Sequence, residues 1–360
     1  MLSLGKGRGI VGLDIGSNSV KAVELKKTKK GYQLIHFGIL PLPSEAIVDG
    51  ALMNSNAVVD AINELFQKEK IKTKEVATSL SGHSVIIKKI RLPQMTEEEL
   101  EESIQWEAEQ YIPFDISDVN LDVQILNTDI HEVGQMEVVL VAAKKDMIND
   151  YISVISEAGL TPIIMDVDSF AIENMYGVNY DISSGEVSVL ANIGASIINV
   201  NVIKGGISTF TRDINIGGNQ YTEEIQKQLS VSYEEAEALK LGGEIGGPSD
   251  TTEAVIPQEV GGIIRSVSEN LAAEIQRSLD FFSATASEDQ ISKINLMGGT
   301  AKIPGLTSII ESKTGISTEV INPFSRIEIN PKDFDVKYLN EVSPLAAVGV
   351  GLATRRVGDR

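Results

Sequence analysis

The chain has 360 residues, 42% of them hydrophobic, enough for a substantial core divided between about two domains or lobes. Its 51 acidic against 31 basic residues leave a formal charge of −20, which argues against a nucleic-acid-binding surface and against general adhesion to anionic lipid. There is no cysteine, no apolar leader in residues 1–9 and no stretch apolar enough to span a bilayer, so a cytoplasmic protein without disulfides or membrane insertion is expected.

Residues 10–15 and 19–25 read as two strands joined by a tight turn at Gly16-Ser17-Asn18, and YQLIHFGIL (32–40) as a third. Val58, Ile62, Leu65 and Phe66 recur at helical spacing after a cap at Ser55 or Asn56, and EVATSLSGHSVIIKKIRLP returns to strand. Thr96 and Glu99 form a capping box before an acidic helix that runs toward Pro113. On that helix Leu100, Ile104, Ala108 and Tyr111 make the apolar face. Trp106, the only tryptophan, projects the other way, either packed against a neighbouring sheet or lobe or offered as a contact. Strands at 121–126 and 136–143 and a helix over 144–158 follow, and LTPIIMDVD (160–168) is a further strand.

VLANIGASIINVNVI (189–203) then repeats VGLDIGSNSVKAVEL (11–25) at an offset of 178 residues, with Asn192 where the first copy has Asp14. Helices are expected near 220–241 and 259–284, a strand entering a glycine turn at 293–299, a helix near 304–313, and a small-residue helix at 343–356. The boundaries implied are a first lobe (9–87 with 166–185 and 343–356), an inserted unit (88–165), a second lobe (186–221 with 285–342) and a subdomain over 222–284.

A turn of Gly, Ser and Asn presents backbone N–H groups and short side chains in one direction, which suits a phosphate. Two such hairpins, one per lobe, can grip a polyphosphate, and Asp14 at the base of the first can hold Mg²⁺ through water. GGTAKIPG (298–305) adds a third small-residue turn against which a flat base can lie. Asp166 and Asp168 stand at a strand end, where they serve as a general base or cap the next helix. His36, His83 and His131 have no ligand spacing.

Together DIGSNSVK, the second xIGAS, MGGTAKIPGL and SPLAAVGVGLA resemble the phosphate, adenosine and connecting segments of the actin/Hsp70/sugar-kinase superfold. IGSNSVKAVEL, SVIIKKIRLP and WEAEQYIPFD resemble the PilM family of type IV pilus assembly, itself similar to FtsA. The resemblance implies an α/β, actin/FtsA-like ATPase fold: two lobes with duplicated βββαβα cores and an inserted small α/β subdomain. It implies that Asp14 organises Mg²⁺, that Gly16, Ser17, Asn18, Ser19 and Lys21 meet the phosphates of ATP, and that Asn192, Gly194, Ala195 and Ser196 hold them from the other side. Glu237 and Lys240 would bracket ribose and base, with Gly298, Gly299 and Lys302 at the adenosine. Without that resemblance, Glu237 and Lys240 read as a solvated ion pair one helical turn apart.

An amide at Asn192 cannot carry the charge that positions a metal or an attacking water, so slow or absent hydrolysis is expected. The resemblance further implies a scaffold that binds the N-terminal cytoplasmic segment of PilN at the inner membrane, in a groove beside the inserted subdomain. The loop at 242–258 is a second docking candidate. The alternatives are an FtsA-like polymer, whose basic amphipathic anchor is not found in the VGDR that follows Arg356, and a small-molecule kinase.

Overall fold

The computed structural model describes residues 9–127, 134–242, 258–286 and 289–358. The first lobe opens with β1 (Val11–Ile15), β2 (Ser19–Thr28) and β3 (Gly31–Pro41), then the short β4 (Ile47–Val48) and β5 (Ala51–Leu52), α1 (Ser55–Lys68) and β6 (Glu75–Leu80). Asn54, rather than Ser55 or Asn56, caps α1, its Oδ1 accepting from the Ala57 N–H. The inserted sheet follows as β7 (Val85–Pro93), α2 (Glu97–Ala108), β8 (Val119–Asn127) and β9 (Gln135–Lys144). The chain then re-enters the first lobe through α3 (Lys145–Glu157), β10 (Thr161–Val167) and α4 (Asp168–Asn179).

The second lobe comprises β11 (Val187–Ile193), β12 (Ile198–Lys204), β13 (Ile207–Ile214), α5 (Asn219–Leu229), α6 (Tyr233–Lys240), α7 (Gln258–Thr285), β14 (Ile291–Met297), α8 (Leu306–Thr314) and β15 (Thr318–Val320). After it come β16 (Ile327–Glu328), α9 (Val336–Val342) and α10 (Ala347–Thr354).

The duplication is visible in the sheets. The first runs β10-β6-β1-β2-β3-β16 and the second β13-β12-β11-β14-β15. In both, three antiparallel strands lead into parallel neighbours on the far side of the first strand. That order brings the β1–β2 and β11–β12 turns to corresponding positions, one in each lobe. β16 returns from the second half to pair with β3. α10, buried from Ala347 to Ala353, packs against β1 and α4.

Packing crosses two of the expected boundaries. The inserted unit is smaller than 88–165: its core joins Ile90, Leu92, Leu100, Ile104, Met136, Val138 and Leu140, while Tyr151, Val154 and Ile155 of α3 are buried with α1 in the first lobe. Nor does 222–284 have its own core. Val260, Ile264, Leu271 and Phe282 of α7 share one cluster with the second sheet, because α7 is the crossover that joins β13 to the parallel β14.

The capping box at Thr96 and Glu99 is formed, but α2 stops at Ala108, short of Pro113. Trp106 is 78% exposed and does not pack on a neighbour. The expected terminal helix is a 3₁₀ turn (Ser343–Ala346) followed by α10. Both His131 and most of the 242–258 loop lie outside the described residues.

Candidate functional site

A cleft of about 310 Å³ opens between the lobes. The first hairpin lines it with Asp14, Gly16, Ser17, Asn18, Ser19 and Lys21, and the second with Asn192, Gly194, Ala195 and Ser196. Glu237 and Lys240 from α6, then Gly298, Gly299 and Lys302 from the turn after β14, complete the wall. All the residues that the resemblance assigns to the nucleotide therefore face one space, although they come from segments nearly 300 residues apart.

Each is held by local geometry. Gly16 N–H donates to the Ser19 carbonyl and Gly194 N–H to the Ile197 carbonyl, closing two equivalent turns. Thr300 Oγ1 donates to the Gly194 carbonyl at 2.8 Å, tying the third turn to the second hairpin. At Gly298, φ is +88° and a Cβ would stand 2.4 Å from the Ile193 carbonyl oxygen, so only glycine fits where the chain bends over the hairpin.

The polar groups form two sets. Lys21 Nζ lies 3.2 Å from Asp14 Oδ2, a half-buried ion pair on adjacent positions of β1 and β2. Asp168, at the start of α4, also lines the cleft and accepts from Ser79 Oγ at 2.6 Å. Burial, with the Asp14 charge adding to it, pushes the Asp168 carboxyl up to about 7.

In the second lobe, Asn192 Nδ2 donates to Asn199 Oδ1 (3.0 Å) and Asn199 Nδ2 to Asp213 Oδ1 (2.9 Å). Asp213 Oδ2 in turn accepts from the backbone N–H of Gly82, in the first lobe, at 2.6 Å. Glu237 and Lys240 are not a solvated pair. The Lys240 ammonium is buried and donates to Thr222 Oγ1 (3.0 Å), to the Gly218 carbonyl and to Glu237, while Thr222 also donates to Glu237.

A family model described as type IV pilus assembly protein PilM matches residues 12–357. The chain belongs to the PilM family. Among solved structures it is similar to a chain of a PilM–PilN type IV pilus biogenesis complex, at 28% identity and a TM-score of 0.84, covering 98% of this chain and 99% of that one. It is also similar to the cell division protein FtsA of Pseudomonas aeruginosa (24% identical, 98% of this chain and 90% of the relative). FtsA of Streptococcus pneumoniae serotype 2 is 22% identical over 87% of this chain and 75% of the relative. The ADP-bound MreB5 of Spiroplasma citri has a TM-score of 0.50 at 12% identity, covering 96% of this chain and 94% of that one. The fold of this PilM-family chain is the actin-like ATPase fold.

Asp166 and Asp168, two residues apart, are separated by the fold. Asp168 faces the cleft; Asp166 is buried in a second cavity, 2.8 Å from Arg355 Nε. Neither caps α4, whose cap position is Val167 with no side-chain hydrogen bond. Sequence reasoning passed over Ser79, Asn199, Asp213 and Thr300. Asn199 lines the cleft, and Asp213 is set behind it by the β12–β13 pairing, which places the two opposite each other. The repeat of Gly-Gly at 217–218 beside the second hairpin was the one local sign of crowding there.

The residues present fit a magnesium–nucleotide. Asp14 and Asp168 supply the hard oxygen donors that Mg²⁺ prefers, and Lys21 supplies a cation for phosphate oxygens. Among the described residues there is no cluster of three or more metal-ligating side chains.

Proposed function

We propose that the chain is an ATP-binding scaffold of the type IV pilus inner-membrane platform, and that its nucleotide turns over slowly or not at all. One observation carries this reading: two duplicated hairpins and a third small-residue turn line a single interlobe cleft, with Asp14 at its base. In that cleft the two hairpins grip the phosphates, Lys21 neutralises them, and Asp14, with Asp168 beside it, orders the water around Mg²⁺. Glu237 and Lys240, already organised through Thr222, flank the ribose and base, and Gly298 and Gly299 leave room for the adenine. Asn192 contributes hydrogen bonds and no charge. The scaffold partner is the N-terminal cytoplasmic segment of a PilN-like inner-membrane protein, which would lie in the groove between the inserted sheet and the first lobe.

The test is nucleotide binding by calorimetry together with a steady-state ATPase assay. Asp14→Ala is expected to weaken Mg²⁺–ATP binding at least tenfold, whereas the wild type is expected to show negligible multiple turnover and Asn192→Asp to raise it. Fast turnover by the wild type would overturn the slow-hydrolysis reading. Asp168 favours a second reading, an active ATPase or kinase, because a carboxyl poised near neutrality can take a proton from an attacking hydroxyl. Under that reading Asp168→Asn abolishes turnover while binding survives.

A further inference from the structure

The net charge of −20 is unevenly spread, for residues 24–31 and 67–75 hold eight lysines against three glutamates. Lys26, Lys27, Lys29 and Lys30 form the far end of the β2–β3 hairpin, where Thr28 is paired with Gly31 and Thr28 Oγ1 accepts from the Lys30 N–H at 3.2 Å. Lys68, Lys70, Lys72 and Lys74 lie on the last turn of α1 and the loop that leads into β6. All eight are exposed. Among the described residues none of them takes part in an ion pair.

Topology brings the two groups to one end of the first sheet. β1 and β6 run parallel with Val11 opposite Val76, and β2 runs antiparallel with Glu24 opposite Val11. The start of β6 and the end of β2 therefore meet on the side away from the cleft. Thr73 Oγ1 donates to Glu24 Oε1 at 2.6 Å, tying the loop to the hairpin across β1. The local acids offset the lysines only in part. Glu24 is also paired with His36 at 2.6 Å, Glu69 lies over Gly38, and Glu75 is engaged as well. Glu328 of β16, in register with Gln33, is exposed near the hairpin and offsets a single charge.

Distance decides whether this end or the net charge governs adhesion. β2 has ten residues, so its two ends stand about 33 Å apart. The screening length at physiological salt is about 8 Å. The cleft and the acids around it are thus several screening lengths from the hairpin tip, and the attraction felt there is local. The net charge excludes adhesion by the surface at large without excluding it at this end.

We propose that the lysine-bearing end of the first lobe rests on an anionic phospholipid surface, with headgroup phosphates meeting the hairpin tip and the α1–β6 loop. Neither cavity of the protein reaches these lysines, so no single anion is enclosed, whereas a bilayer offers phosphates across their whole spread. Neither segment exposes a large apolar side chain, so the contact is electrostatic and reversible, with no insertion. A basic patch alone anchors weakly; with a partner already held in the membrane, the two contacts reinforce each other and fix orientation. The cleft then opens away from the bilayer. This goes beyond the scaffold reading and needs no nucleotide, so its failure leaves nucleotide binding untouched.

The experiment is flotation of the full chain with vesicles of phosphatidylcholine containing about one third phosphatidylglycerol, beside vesicles of phosphatidylcholine alone. Binding is expected to the first and not the second, and to fall at least tenfold from low to physiological salt. Each lysine close to an anionic bilayer is worth about a fivefold factor in partition, so replacing Lys26, Lys27, Lys29 and Lys30 together by Gln is expected to cost tenfold or more. The control replaces Lys88, Lys227, Arg265 and Lys337 by Gln, which changes the net charge equally on exposed positions elsewhere and is expected to cost less than twofold. Wild type that ignores anionic vesicles, or binds both kinds alike, overturns the proposal. So does an equal loss in the two variants, which would make net charge the cause. Displacement from vesicles by inorganic phosphate at constant ionic strength would reveal a single-anion site, and displacement by a duplex oligonucleotide at matched phosphate concentration a nucleic-acid surface; either overturns the membrane contact. Unchanged thermal unfolding of both variants separates a lost contact from a lost fold.

Discussion

Asn192 Nδ2 donates to Asn199, and Asn199 donates to Asp213, so the charge missing from the second hairpin sits two amides away, deeper in the lobe. Through Asn199, Asp213 holds Asn192 in place without itself lining the cleft, which supports the proposed grip without efficient hydrolysis. A second acid lining the cleft, Asp168, feels the Asp14 charge, and its burial has a consequence for stability. Its folded pKa of about 7 exceeds the usual aspartate value, so between about pH 4 and pH 7 the folded state retains a proton that the unfolded chain releases. Stability of the nucleotide-free protein is therefore highest at the acid end of this window and falls as pH rises toward 7. Glu173, also at about 7, acts in the same direction. Melting curves from pH 5 to pH 8 should show the fall, and Asp168→Asn should flatten it and raise the melting temperature at pH 8 by a few degrees. An unchanged pH profile in that variant would sink the assignment.

At the level of elements, α10 shows why a run of small residues is needed where a helix meets β1 and α4. A Cβ on Gly351 would stand 1.7 Å from the Ala171 carbonyl oxygen, and one on Gly12 of β1 would stand 2.1 Å from the carbonyl of Gly349. The helix is thus pressed against β1 and α4 at backbone distance, closing the inner face of the first sheet beside the cleft. No side chain fits without moving one of them. Gly351→Val is expected to destabilise the protein by about 3 kcal/mol, at the upper end of overpacking costs, measured as a drop in the urea midpoint. The same helix was legible in advance because SPLAAVGVGLA combines small and apolar residues with no polar face. Its partners were not, since the composition is equally suited to any tightly packed site.

Across the whole molecule, the lobes are joined by a shared core and by buried polar bridges. Leu190, Ile203 and Met297 of the second lobe are buried with Val23, Ala171 and Val350 of the first. Asn201 Nδ2 donates to the Ser169 carbonyl of α4, and a second bridge is Asp213 accepting from Gly82, in the loop that leads from β6 into the inserted sheet. Asp213→Ala should cost roughly 1–3 kcal/mol, since it leaves a buried N–H without its acceptor. It should also speed hydrogen exchange at Gly82, while Asp213→Asn, which keeps an oxygen there, should do so much less. Equal exchange in wild type and Asp213→Ala would show that the bridge carries no load between the lobes.

The turns, the capping box of α2 and the repeated hairpins could be read from residues alone, because each depends on neighbours within a few positions: glycine where φ is positive, a hydroxyl before a helix, alternation along a strand. Membership could not. Whether α3 joins the inserted sheet or the first lobe, whether α7 belongs to a separate subdomain, and which cavity Asp166 and Asp168 each face are settled by pairings between strands tens to hundreds of residues apart. Burial and counter-charge at Asp168, Asp213 and Glu173 come from those same distant partners, and a one-dimensional pattern carries no record of who is packed against whom.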